Sequence, residues 1–354
     1  VPEAARGRAV GDFAAAQAVG MSAGPALGGF VVEALGWRWI FGLTVPFGAV
    51  AILAGWLALP RGPASGHKPA FDWGGALLIG PALILLVATL NHVSAWGLAS
   101  PLTLANLLVA ALLLWALRRR EARTAAPLID PRLFTARAFR WGALAVVLGY
   151  GLLYGVFFLM SFGLAHGYGE SAGAAGLRLA LVPVALGLTA PFSHDLSRLL
   201  GARWIGPAGM GSVLAGLAIL GATFGLSPYH HVLDTVSFVL IGIGLGLFVA
   251  PNSHATLAAA PAGLAGAAGS LLNLMRVLGT SLGVAAGASM LAWRLGVETG
   301  SGAGAAAVAV LAANGPGLLA GVRTSLPLLA LMALLAAFAA RKAAGGGSAE
   351  ARKG

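Results

Sequence analysis

The sequence predicts an all-α polytopic membrane protein with about ten transmembrane helices, and three observations carry that expectation. Charged residues are 9% of the 354 residues and hydrophobic ones 58%, whereas a soluble domain carries about 25% charge. Mean hydropathy is +0.88. Apolar runs of about 20 residues, enough to cross a bilayer, recur from end to end and are separated by polar connections.

In chain order the runs fall at residues 10–32, 39–59, 74–93, 102–117, 141–165, 179–192, 205–226, 235–254, 271–293 and 325–340. A weaker stretch, 302–322, is rich in Ala and Gly and broken by Asn314, Gly315 and Pro316, so it is expected to be an outer connection. Residues 118–140, RRREARTAAPLIDPRLFTARAFR, form the longest connection, and the end of the chain from residue 341 is expected to be a flexible tail. Trp37, Trp39, Trp96, Trp141, Trp204 and Trp293 fall near span ends, where indole rings anchor at the headgroup level.

The net charge of +11 does not indicate nucleic acid, because the basic residues sit in alternate connections. Arg6, Arg8, Arg61 and Lys68, the arginines of 118–140, and Arg198, Arg203, Arg341, Lys342, Arg352 and Lys353 all fall on one side of the expected topology. Arg38, Arg178, Arg294 and Arg323 fall on the other. This positive-inside bias places both termini in the cytoplasm. With no cysteine there is neither a disulfide framework nor a thiolate metal site. Phosphate-loop, Ser–His–Asp and HExxH patterns are absent from the sequence, so no enzyme, no metal and no cofactor is expected. The chain opens on VPEAARGRAV, a charged connector without an initiator methionine, which suggests that a preceding part is missing.

The densest motif is GMSAGPALGG at residues 20–29. Gly20, Gly24 and Gly28 recur every four residues on one helix face, which lets another backbone approach closely. Pro25 removes a backbone donor, and Gly29 doubles the last glycine. All five positions match GxxxGPxxGG, so the stretch resembles the antiporter signature of the major facilitator superfamily. The similarity to its fourteen-span drug:proton antiporters of the EmrB/QacA type continues through GWRWIFGLTVPFG (36–48), FDWGGALL (71–78), PLIDPRLF (127–134), GLRLALVPVALG (176–187), GIGLGLFVAPN (242–252) and NLMRVLGTSLGVAAG (273–287). In that family the signature lies in the fifth of fourteen spans; here it lies in the first. The resemblance therefore implies a fragment lacking four helices. Residues 1–60 would hold the last two helices of an N-terminal bundle, 61–117 two linking spans, 118–140 a basic cytoplasmic loop, 141–340 a six-helix C-terminal bundle and 341–354 the tail.

The resemblance implies export of drug-like or antibiotic molecules in exchange for protons, with Gly20, Gly24, Pro25, Gly28 and Gly29 as the conformational hinge. Gly279, Gly283 and Gly287 repeat the four-residue glycine spacing in the ninth span, as halves related by repetition should. Proton coupling needs an ionisable group inside the membrane; Asp12, near the cytoplasmic mouth of the first span, is the remaining candidate, and Glu33, Asp195 and Asp234 likewise fall away from the midplane. Arg276 is expected within a turn of the cytoplasmic face in a gating or structural role, and Asp195 and Arg198 are expected to bind neighbouring helix ends. Tyr150, Tyr154 and Asn252 are candidates for the wall of a cavity for a lipophilic substrate. His230 and His231 are expected in an outer loop. The partners implied are the lipid bilayer, a lipophilic small molecule, protons and the missing helices, in a bacterial cytoplasmic membrane. A metabolite exporter on the same fold and a non-transporting remnant are the alternatives.

Overall fold

The computed structural model describes residues 20, 23–58, 72–97, 100–124, 127–261, 263–299 and 315–350. Among these residues nine helices are long and apolar enough to cross a bilayer, and a shorter one precedes them. The α-helices, numbered in chain order, are α1 (Ala23–Leu35), α2 (Arg38–Ala58), α3 (Trp73–Trp96), α4 (Pro101–Glu121), α5 (Arg137–Phe162), α6 (Ala172–Leu179), α7 (Leu181–Thr189), the short connecting α8 (Ser193–Leu200), α9 (Ala202–Thr223), α10 (His230–Ala258), α11 (Ala265–Thr299) and α12 (Gly315–Glu350). A π-turn, Gly163–Gly167, extends α5, and α6 with α7 forms one span, Ala172–Thr189. The all-α membrane fold expected from composition is the fold found.

Helix α5 is the axis of the C-terminal bundle, with α10, α11 and α12 packed around it. Lipid offers no hydrophobic reward for helix association, so close backbone approach must supply van der Waals contact instead. Glycine provides it. A Cβ built on Gly151 would lie 2.6 Å from Met332 Cε, one on Gly155 2.7 Å from Leu329 Cδ2, and one on Gly149 2.7 Å from Phe248 Cε1. Gly283 of α11 sits directly against the backbone of Gly151. The core between these glycines is built from Leu152, Leu153, Val156, Leu159, Phe238, Leu245, Phe248, Leu329 and Ala333, all essentially inaccessible.

Helices α3 and α4 pair with each other, and α3 lies on α11, where Ser289 Oγ donates to Leu90 O (3.3 Å). Asp72 begins α3 by accepting from Gly75 N (2.9 Å) and binds Arg120 of α4 through Nε (3.0 Å) and Nη2 (2.8 Å). This explains the two glycines of FDWGG: a side chain at Gly74 would meet the Arg120 guanidinium, with Nε 2.6 Å away. Glu121 closes the connection by accepting from Leu128 N (3.1 Å) and Ile129 N (3.3 Å), and Asp130 caps the short 3-10 turn Pro131–Phe134.

Several expected boundaries move. The 302–322 stretch is not a connection throughout, because α12 begins at Gly315. Pro316 marks a start, since proline is tolerated in the first turn where its missing N–H has no partner to lose. The same helix runs on to Glu350, past the expected tail boundary at 341. His230 and His231 belong to the first turn of α10 rather than to a loop, and the span expected from 179 starts at Ala172, which takes Arg178 into a helix. The connection at 193–200 is itself helical.

Candidate functional site

Three places gather the groups that a transporter would use. The first is the seam between α1 and α6. Gly29 rests on the backbone of Ala172 and Gly173: a Cβ there would lie 3.0 Å from the Ala172 carbonyl carbon and 3.2 Å from Gly173 Cα. A Cβ on Gly176 would lie 3.2 Å from Gly29 Cα and would collide with the Pro25 carbonyl oxygen. One turn further on, Glu33 Oε2 accepts from Ser171 Oγ (2.9 Å) and Gly173 N (2.7 Å). The carboxylate thereby serves a helix N-terminus, where its charge is favoured. Gly20, Gly24 and Gly28 meet nothing among the described residues. The motif's final glycine, not its four-residue stripe, makes the contact that the structure contains.

The second place lies at the same end of the bundle. Arg178 of α6 forms ion pairs with Glu170, in the connection before α6, and with Asp234 of α10 (Nη2–Oδ2 3.1 Å). The side chains are 14%, 11% and 0% exposed, in that order. Gly169 turns the chain at φ +70°, a conformation that strains any residue with a Cβ, and so delivers Glu170 to the arginine. Tyr168 accepts from Gly225 N (2.9 Å) and stacks on His230 (4.4 Å). Burial pushes the Tyr168 hydroxyl up to about 12, so it stays protonated at physiological pH. Sequence reasoning missed this cluster because Arg178 was assigned to a connection and Asp234 to a span edge. The available signal was an arginine flanked by leucines in GLRLALVPV, since an ionic group inside an apolar run needs a partner.

The third place is the α5–α11 face. Arg276 lies eleven residues into α11, about 17 Å along the axis from the helix start. Its guanidinium sits 5.7 Å from the Tyr150 ring centroid, and its Nε has no hydrogen-bond partner among the described residues. Tyr154 stands a turn beyond, edge-on to Phe157 (5.9 Å). Asn252 is enclosed, 8% exposed, and donates to Gly142 O (3.1 Å), tying α10 to α5.

Of the other expected residues, Asp12 lies outside the described residues. Asp195 and Arg198 are exposed on α8, and neither has an ion-pair partner among the described residues. At the arginine-rich end of the bundle a cleft of about 770 Å³ is lined by Arg137, Arg203, Arg341 and Lys342 together with Phe338. Arg203 and Arg341 lie over the Trp204 ring at 5.5 and 4.7 Å.

Helices meeting through glycine, Gly29 against Gly173 and Gly176 and the α11 stripe against α5, are what membrane helix association uses. Residues 1–284 match the family model of the Major Facilitator Superfamily. The chain belongs to this superfamily. Among curated superfamily relatives it is 31% identical over 294 residues to the drug efflux pump JefA of Mycobacterium tuberculosis, covering 81% of this chain and 56% of that protein. It is 29% identical over 289 residues to the tetracenomycin C resistance and export protein of Streptomyces glaucescens (81% and 53%). It is 31% identical over 297 residues to the riboflavin transporter RibZ of Clostridioides difficile (83% and 63%). The chain thus spans little more than half the length of the curated relatives it matches. Superfamily membership agrees with the polytopic helical membrane fold described above, and two of these relatives carry names of drug efflux or of resistance and export.

Proposed function

We propose that the protein containing this chain is a secondary active exporter of drug-like or antibiotic molecules. It would run by proton antiport with alternating access, as in the fourteen-span EmrB/QacA type, with four helices preceding this chain. The observation that carries the reading is the α1–α6 seam, where Gly29, Gly173 and Gly176 bring two backbones together. A seam held by glycine contacts and one carboxylate can part as a unit and reseal, which rocking bundles require. Gly20, Gly24, Pro25, Gly28 and Gly29 form the hinge in this reading. Arg276 and Tyr150 stand where a substrate passing along α5 would meet them, Asp12 is a coupling candidate on the preceding segment, and Asp195 and Arg198 act at the cytoplasmic mouth.

Everted vesicles carrying the full gene product should accumulate ethidium only with an imposed pH gradient; accumulation indifferent to the gradient would refute antiport. The riboflavin transporter among the relatives favours a second reading, export of a metabolite on the same fold, and riboflavin competition in the same vesicles separates the two. In this reading both ends of the chain lie in the cytoplasm. This chain has no cysteine of its own, so Arg123→Cys and Tyr229→Cys give clean reporters. An impermeant thiol reagent outside the cell should label only the second.

A further inference from the structure

The Arg178 cluster holds more negative than positive charge. Two carboxylates, Glu170 and Asp234, face one guanidinium, and all three groups are largely withdrawn from solvent. Asp234 is fully enclosed, and its Oδ1 has no hydrogen-bond partner among the described residues; the same is true of Glu170 Oε2. A carboxylate oxygen enclosed without a donor is costly when charged. One arginine can neutralise one carboxylate, so the ion pairs leave one negative charge in a site largely withdrawn from water. The cheapest remedy is a proton, which turns a bare acceptor into a neutral acid held between two partners.

The ionisable surroundings are few. Tyr168 lies on the connection from α5 and interacts with both Asp234 and Arg178, but it stays neutral. His231 Nδ1 is 3.9 Å from Glu170 Oε1, and its side chain is 69% exposed, so it faces water more than the cluster. His230 is stacked on Tyr168 and holds Ser227 O through Nδ1 (3.2 Å). From α1, Glu33 binds Ser171 and Gly173, one and three residues beyond Glu170, and adds a further negative charge to the neighbourhood.

We propose that Glu170 and Asp234 share one exchangeable proton across Arg178, making this end of the C-terminal bundle a proton-binding site. The proton leaves to water along the Glu170 side, the more exposed of the two carboxylates and the one beside His231. The site is built into the seam: Ser171 and Gly173, which follow Glu170, are the residues that hold Glu33, and Ala172 and Gly173 are those on which Gly29 rests. A change of charge at Glu170 therefore acts on the turn that docks the antiporter-motif helix. Use of the site in transport rests on the antiport reading, whereas its occupancy does not.

Infrared difference spectroscopy of the purified full gene product, titrated with pH and without substrate, tests occupancy. The wild type should show the carbonyl stretch of a protonated carboxyl that disappears on alkalinisation. Asp234→Asn and Glu170→Gln should each abolish it, because either change leaves one carboxylate matched to one arginine. A band that survives in both variants, or a wild type without one, overturns the proposal. For coupling, ethidium accumulation in everted vesicles is compared between wild type and Asp234→Asn. Loss of gradient dependence with retained ethidium exchange supports the site. A gradient-driven variant equal to wild type removes the site from coupling. A wild type indifferent to the gradient removes the antiport reading and leaves the infrared result standing.

Discussion

Two helices carry glycines every fourth residue, and they use them differently. On α11, Gly279, Gly283 and Gly287 are filled by α5: Gly279 faces Val147 and Tyr150, Gly283 the Gly151 backbone and Gly287 the Phe158 ring. In the motif at the start of α1, Gly20, Gly24 and Gly28 meet nothing among the described residues, while Gly29, off the stripe, meets α6. Equal spacing therefore grants permission for close approach without naming a partner. The α11 stripe packs against α5; the motif on α1 reaches α6 through Gly29 and Pro25, and its stripe meets nothing among the described residues.

The comparison can be broken at four points, ranked by their effect on folding. Gly283→Leu should be the most damaging, costing about 3 kcal/mol through forced separation of α5 and α11. A sharp fall in the thermal midpoint of the detergent-purified protein would register it. Gly29→Leu should cost about 1–2 kcal/mol, because only the seam has to open. Cross-linking between cysteines placed at residues 33 and 171 should weaken in the Gly29→Leu background while the core of the bundle melts as before. Glu33→Gln keeps an acceptor for Ser171 and Gly173 but loses its charge, and should cost about 1 kcal/mol. Gly24→Leu should change stability by less than about 0.5 kcal/mol as far as the described contacts decide it. It should nonetheless abolish export if the stripe is part of a hinge, and wild-type export by that variant would end the hinge role.

A smaller effect concerns pH. The Arg120 side chain, followed by the Gly75 N–H, holds Asp72 below the usual carboxylate range. A carboxylate lowered on folding contributes stability that is complete above its unfolded value and is lost as pH falls through the folded one. The α3–α4 tie is thus constant from about pH 5 to 8. Melting curves of wild type and Asp72→Asn should run parallel over that window and converge only in acid.

Much of this was legible before any coordinates. The spans are long apolar runs, and the motif glycines announce themselves by spacing. Asp72 and its glycines sit in a recognisable string, although its partner Arg120 lies 48 residues away. The Arg178 cluster was not legible, because Asp234 is 56 residues from the arginine and each looked like the polar end of its own span. Hydropathy averages over a window and hides a single ionic group among leucines; only a partner brought in by the fold reveals it. The helical run of α12 to Glu350 was missed for a related reason. Composition at 345–347 argues for a linker, and intrinsic propensity is a weak guide beside a helix already nucleated in the membrane.

The glycines along α5 have a consequence for how this protein can drift. At Gly142, Gly149, Gly151, Gly155, Gly163 and Gly167 an added Cβ would crowd Thr256, Phe248, Met332, Leu329, Phe224 or Leu319 in turn, so that neighbour has to shift. Any missense change at those codons adds at least a methyl group. In a saturation mutagenesis library, survivors would therefore be sparse along a single line drawn down α5. The fitness map of the gene would trace the axis of its own bundle.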